Sequence, residues 1–207
     1  MQEEKMKTGT TTIGLLCKDC VILASESKST LGYLVFSKEA EKIYQVDDKI
    51  AMTVAGGTGD TQALIRVLKA EINLYKLTRN TDFTVKAATT LLANIMQSSR
   101  FYPYMAMLII GGMDKDGAHL FVLDPVGGIE EDKYVSTGSG SPVAYGVLEN
   151  DFRQDLTMEE GIELAARAIR SARERDIFSG GKNIVVATID KSGLKFVDRE
   201  RIQEIIK

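Results

Sequence analysis

Close to the N-terminus, the stretch Thr8-Gly9-Thr10-Thr11-Thr12-Ile13-Gly14 offers an unusual chemistry. Cutting the bond between Gly9 and Thr10 would leave Thr10 with a free α-amino group beside its own hydroxyl. Nucleophile and general base would then reside in one residue, the N-terminal threonine arrangement. An α-amine titrates near pH 8, so a useful fraction accepts a proton at neutral pH without help from histidine. The plainer alternative is a threonine-rich edge strand, because threonines in a row favour strand over helix.

Composition narrows the classes of function. A chain of 207 residues with 44% hydrophobic content suits one domain with a sizeable core. The formal net charge of -3 argues against a general nucleic-acid binder. No apolar run approaches the ~20 residues that span a bilayer. The charged stretch Met1 to Lys7 lacks the apolar centre of a signal peptide, so a cytoplasmic protein without membrane contact is expected. Cys17 and Cys20 form a C-x-x-C, but they flank a strand turn and no second cysteine pair follows. Buried or turn positions fit them better than a metal or redox site, and no cofactor is implied. With His119 as the single histidine, an enzyme built from this chain needs another base.

The elements that must position Thr10 follow from periodicity. Thr11 to Leu16 and Val21 to Ser25 read as a hairpin around Lys18-Asp19. Leu31 to Phe36 reads as a turn into an apolar stretch. Ala40 to Val46 and Ile50 to Ala55 read as strands, the second ended by Gly56-Gly57-Thr58-Gly59. Asp60 to Lys76 and Thr84 to Gln97 switch to helical spacing. Tyr102 to Ile110 reads as a strand ended by Gly111-Gly112, with His119 to Leu123 and Tyr134 to Thr137 as further strands. Ala144 to Glu149 reads as a short helix, and Thr157-Met158-Glu159-Glu160 as a capping box opening another. Asn183 to Asp190 and Leu194 to Asp198 form a last strand pair before a terminal helix over Glu200 to Lys207. This order predicts an α+β fold with two sheets between two helical layers.

Several motifs, in order along the chain, carry a resemblance. They begin with Gly9-Thr10-Thr11-Thr12-Ile13-Gly14, Ala55-Gly56-Gly57-Thr58-Gly59-Asp60 and Asn73-Leu74-Tyr75-Lys76-Leu77. Arg100-Phe101-Tyr102-Pro103-Tyr104, Leu123-Asp124-Pro125-Val126-Gly127-Gly128 and Thr137-Gly138-Ser139-Gly140-Ser141-Pro142 follow. Ala144-Tyr145-Gly146-Val147-Leu148-Glu149 and Arg175-Asp176-Ile177-Phe178-Ser179-Gly180 complete the set. Together they resemble the β subunits of the archaeal proteasome core particle, which are N-terminal nucleophile hydrolases. The resemblance implies a four-layer αββα sandwich of two antiparallel sheets flanked by helices. It also implies a propeptide over residues 1–9, removed autocatalytically at Gly9-Thr10, and one catalytic domain over residues 10–207. The implied partners are proteasome α subunits and other β subunits in an α7β7β7α7 barrel, fed with unfolded polypeptides by a regulatory ATPase ring.

Residue by residue, the resemblance makes Thr10 the nucleophile and Lys42 the ammonium beside it. It makes Gly56 the backbone N–H that faces the oxyanion, and Ser139, Asp176 and Ser179 a supporting hydrogen-bond network. Ser29, Ala40, Tyr44, Val54, Thr58 and Gln62 match the primary substrate pocket. With Val54 at its base and no acid or base among the six, apolar, chymotrypsin-like cleavage is expected. Glu26 and Lys28 stand where aspartate and arginine are usual. Glutamate keeps the charge that would hold Lys42 but adds a methylene, and misplacement by about 1 Å can cost on the order of a hundredfold in rate. Two readings therefore stay open: an active threonine endopeptidase, or a structural β subunit that depends on a more active paralogue.

Overall fold

The computed structural model describes residues 9–207; the leader expected over residues 1–9 lies outside them, apart from Gly9. The chain runs through β1 (Thr12–Leu16), β2 (Val21–Glu26), β3 (Ser29–Leu31), β4 (Leu34–Ser37), β5 (Ile43–Asp47) and β6 (Ile50–Gly56). Helices α1 (Thr58–Arg79) and α2 (Val85–Ser98) come next. They are followed by β7 (Ala106–Asp114), β8 (Gly117–Leu123), β9 (Ile129–Glu131) and β10 (Tyr134–Thr137). After α3 (Ser141–Asp151) and α4 (Met158–Arg175), β11 (Ile184–Asp190), β12 (Gly193–Phe196) and α5 (Arg199–Ile205) complete the chain.

One sheet has the order β10-β1-β2-β11-β12 and the other β5-β6-β7-β8-β9, with every pairing antiparallel. Three apolar layers show how they stack. Val21, Leu23, Ile43, Ile109, Leu120 and Ile189 fill the space between the sheets. Leu64, Leu68, Ile72, Leu92 and Met96 bring α1 and α2 onto Met52 and Ile110 of the second sheet. Leu148, Ile162, Ile169 and Ile202 bring α3, α4 and α5 onto Ile13, Leu15 and Ile22 of the first. The result is the four-layer αββα sandwich. Each central strand alternates its side chains between two buried faces, so its sequence is an apolar run rather than an apolar–polar alternation.

Local signals set several boundaries. Thr84 caps α2 by accepting a hydrogen bond from the Ala87 N–H. Thr157 and Glu160 form the reciprocal capping box of α4. α1 ends at Asn80, whose N–H still bonds the Lys76 carbonyl and whose left-handed φ of 51° turns the chain out of the helix. The strand expected over 102–110 instead spans Ala106–Asp114 and runs straight through Gly111 and Gly112. These glycines mark close approach rather than a turn: a Cβ on Gly111 would lie 2.7 Å from Val21 Cγ1 of the facing sheet. The Leu31 to Phe36 stretch, expected as a turn into an apolar stretch, turns at Gly32-Tyr33 into β4 of the β3–β4 ribbon, which leaves Tyr33 86% and Phe36 74% exposed. Among the described residues no helix is long and apolar enough to cross a membrane.

Candidate active site

Five chain segments meet at one end of the sandwich. The start of β1 lies beside the end of β2, through Thr12 opposite Ser25, and beside the end of β10, through Thr12 opposite Thr137. The residue before β5 and the loop after α4 close the ring. Thr10, Glu26 and Lys42 are 5%, 0% and 6% exposed, so their polar atoms must find partners inside the protein.

Glu26, at the end of β2, uses both carboxylate oxygens. Oε1 accepts from Lys42 Nζ and from the Thr11 N–H at 3.2 Å. Oε2 accepts the N–H groups of Lys28 at 2.6 Å and Gly180 at 3.1 Å. Four donors satisfy a carboxylate that burial would otherwise destabilise. Lys42 lies just before β5, its carbonyl accepting the Val54 N–H at 3.0 Å, and its Nζ donates to Thr10 Oγ1 at 2.9 Å. Burial pulls the Lys42 ammonium below its ordinary pKa, and the Glu26 carboxylate works against that fall. The extra methylene of Glu26 is thus absorbed: the side chain reaches Lys42 while accepting the backbone N–H groups of Thr11, Lys28 and Gly180.

Thr10 is held at every polar atom. Its hydroxyl donates to the Gly9 carbonyl oxygen at 2.6 Å, and its N–H donates to Ser139 Oγ at 3.3 Å. Its carbonyl accepts the Gly140 N–H at 3.4 Å. Asp176 follows the last residue of α4, and its Oδ2 accepts from Ser139 Oγ and Ser179 Oγ, each at 2.6 Å. A hydroxyl has one proton to give, so the Ser179 oxygen accepts from Thr11 Oγ1, 2.6 Å away. Two hydroxyl arms, from Thr10 N through Ser139 and from Thr11 through Ser179, therefore converge on one carboxylate.

The structure brings Thr10, Glu26, Lys42, Ser139, Asp176 and Ser179 into one connected network. Gly56 lines a cavity of about 340 Å³, whose walls also include Gly9 and Thr10. Its φ of 139° and the Met105 carbonyl, which a Cβ would strike, leave glycine as the residue that fits. Ser29, Ala40, Tyr44, Val54, Thr58 and Gln62 all line the same cavity, joined by Phe36 and Ser37 of the exposed ribbon and by Glu41.

Sequence reasoning missed a second set of hydroxyls. Thr53 Oγ1 of one sheet donates to Thr12 Oγ1 of the other at 2.9 Å, and Thr12 Oγ1 lies 2.7 Å from Thr137 Oγ1. All three are buried, and the Thr53–Thr12 bond ties one sheet to the other, two residues along the chain from Thr10. Strand periodicity places Thr10 and Thr12 on one face, but no local signal points to Thr53 or Thr137. Cys17 and Cys20 lie at the other end of the β1–β2 hairpin as buried free thiols. Among the described residues, no group of three or more His, Cys, Asp or Glu side chains is arranged to hold a metal ion.

An αββα sandwich with a buried threonine, lysine and carboxylate at one end of its sheets defines a class that sequence comparison identifies. Residues 6–189 match the profile described as proteasome subunit, and the chain belongs to that family. It is 48% identical over 206 residues to the proteasome subunit beta of Methanosarcina barkeri, covering 99% of this chain and 97% of that one. It is 52% identical over 200 residues to the proteasome subunit beta of Methanocaldococcus jannaschii, covering 96% and 89%. With the proteasome subunit beta of Ferroglobus placidus it shares 48% over 201 residues, covering 97% and 96%.

Proposed function

We propose that this chain is a β subunit of the proteasome core particle and a threonine endopeptidase that frees its own nucleophile by cleavage after Gly9. The observation that carries this reading is the hydroxyl of Thr10. It sits 2.6 Å from the oxygen of the peptide group that it would attack and 2.9 Å from the Lys42 ammonium. Its oxygen adds to the Gly9 carbonyl carbon, the C–N bond breaks, and the hydroxyl proton ends on the Thr10 nitrogen. Water then hydrolyses the resulting ester, leaving a Gly9 carboxylate and a free Thr10 amine.

That amine serves as base in every later turnover. It takes the hydroxyl proton, through a water, as the Thr10 oxygen attacks a substrate carbonyl and passes it to the departing amine. The Gly56 N–H holds the oxyanion, and Lys42 steadies the developing alkoxide. Water resolves the acyl-enzyme. Val54, Ala40 and Tyr44 make the cavity suit an apolar residue on the acyl side of the cut, the chymotrypsin-like preference. The substrates are unfolded polypeptides inside an α7β7β7α7 chamber in the cytoplasm, admitted by an ATPase ring seated on the α ring. No cofactor enters this chemistry.

Intact mass after co-expression with the α partner tests the reading. Loss of Met1 through Gly9 is the expected result. A full-length chain in an assembled particle would instead make this the structural, paralogue-dependent subunit. The four donors on Glu26 sharpen a second expectation. Glu26→Asp withdraws the carboxylate by about one bond length and cannot keep Lys42 and both backbone flanks together. Peptide hydrolysis should fall by roughly ten- to a hundredfold. Unchanged or faster turnover would mean that the methylene is a defect rather than part of the fit.

A further inference from the structure

Gly9 lies against the loop after α4 with no room for a side chain. A Cβ at Gly9 would fall on Phe178, overlapping its Cβ and lying 2.6 Å from Cγ and 2.9 Å from Cα. Real Cβ atoms do not approach that closely, so either the scissile carbonyl or the loop would have to move.

Neither is free to do so. The loop is tied on both sides of Phe178. The Phe178 N–H donates to Asp176 Oδ1 at 3.3 Å, the Ser179 hydroxyl to Asp176 Oδ2 at 2.6 Å, and the Gly180 N–H to Glu26 Oε2 at 3.1 Å. Lys28 Nζ adds a bond to the Ile177 carbonyl at 2.7 Å. On the other side, the contacts of Thr10 with Ser139 and Lys42 fix the scissile group. Retreat of Phe178 would pull on Asp176 and Ser179. Retreat of Gly9 would take its carbonyl from the Thr10 hydroxyl.

Given self-cleavage after Gly9, the reading proposed above on which this inference rests, we infer that Phe178 is a specificity-determining residue of that reaction: its Cβ imposes glycine on the acyl side of the scissile bond. The constraint is particular to the tethered chain. Residue 9 is bonded to the Thr10 nitrogen, and this bond holds its Cα against Phe178. An external substrate has no such bond and presents its acyl-side residue to the cavity of Ala40, Tyr44 and Val54. One nucleophile can therefore demand glycine in its own chain and accept larger residues from others.

The test is a double-mutant cycle on the self-cleavage rate, followed by intact mass after co-expression with the α partner. The chains are wild type, Gly9→Ala, Phe178→Gly and the double variant. Gly9→Ala should slow cleavage by roughly a hundredfold when residue 178 is phenylalanine. When it is glycine, the overlaps with Cβ and Cγ are gone and the 2.9 Å approach to the residue 178 Cα remains, so the same change should slow cleavage by about tenfold or less. An equal penalty in both backgrounds would overturn the inference and assign the glycine requirement to backbone conformation. Wild-type cleavage of Gly9→Ala would overturn it as well. A wild-type chain that stays full length would remove the self-cleavage reading itself. If Phe178→Gly alone abolishes cleavage, crystal structures of Thr10→Ala with and without Gly9→Ala decide. The chain carrying Gly9→Ala should show residues 177–179 displaced and the Ser179–Asp176 bond broken; an unmoved loop beside an ordered alanine methyl would overturn the inference.

Discussion

Thr10→Ala should yield assembled particles whose β chain keeps its full mass and whose peptide hydrolysis is lost by a factor on the order of 10⁴ or more. The reason lies in how the neighbouring hydroxyls are engaged. Ser139 and Ser179 both give their protons to Asp176, and Thr11 gives its proton to Ser179. None is left to replace the lost hydroxyl, and none carries the α-amine that the proposed cleavage would release. The substitution leaves the Glu26–Lys42 pair and both sheets in place, so assembly should survive. Turnover that persists in the Thr10→Ala particle would remove Thr10 from the mechanism.

Lys42→Met should come close to the same loss, for a different reason. Its ammonium is the charged donor on Thr10 Oγ1, and an alkoxide formed there without it would lack a counter-charge in a buried site. The change also strips Glu26 of its ionic partner. Breaking a buried pair typically costs about 3–5 kcal/mol, reduced here because the N–H groups of Thr11, Lys28 and Gly180 stay on the carboxylate. Particle yield in Lys42→Met should therefore fall far less than hydrolysis. Hydrolysis that falls only in step with yield would make Lys42 a structural partner of Glu26 alone.

The pH profile gives an independent check on the same lysine. Burial holds the Lys42 pKa below its ordinary value, while the Glu26 carboxylate pushes it upward. Activity that needs the ammonium should be lost at alkaline pH, at a pH below that expected for a free lysine. Glu26→Gln removes the opposing carboxylate and should move that limb to lower pH. A limb that stays where it is in Glu26→Gln would mean that another group controls it.

Much of the fold was legible because its signals are local. The β1–β2 hairpin, the Thr84 cap and the Thr157–Glu160 capping box depend on residues a few positions apart, and they appear where periodicity and capping chemistry place them. β7 departs from the strand expected over 102–110 because glycine has two opposite uses. It ends elements at turns, yet Gly111 and Gly112 stand inside a strand where a facing sheet and a neighbouring strand leave no space for a Cβ. Only the packed partner distinguishes these uses.

The site divides in the same way. The Thr10 side chain, and the amine that a cut would expose, are properties of covalent structure, so the sequence alone defines that chemistry. The other residues could be named through the family resemblance, but their geometry depends on tertiary packing. Packing let Glu26 reach Lys42 despite its added methylene and join Thr11, Lys28 and Gly180 on one carboxylate. It also set Phe178 against Gly9 and linked Thr53 to Thr12 across two sheets. Hydrogen bonds and steric exclusion act over a few ångströms of space, and only the folded chain brings residues so far apart in sequence within that range.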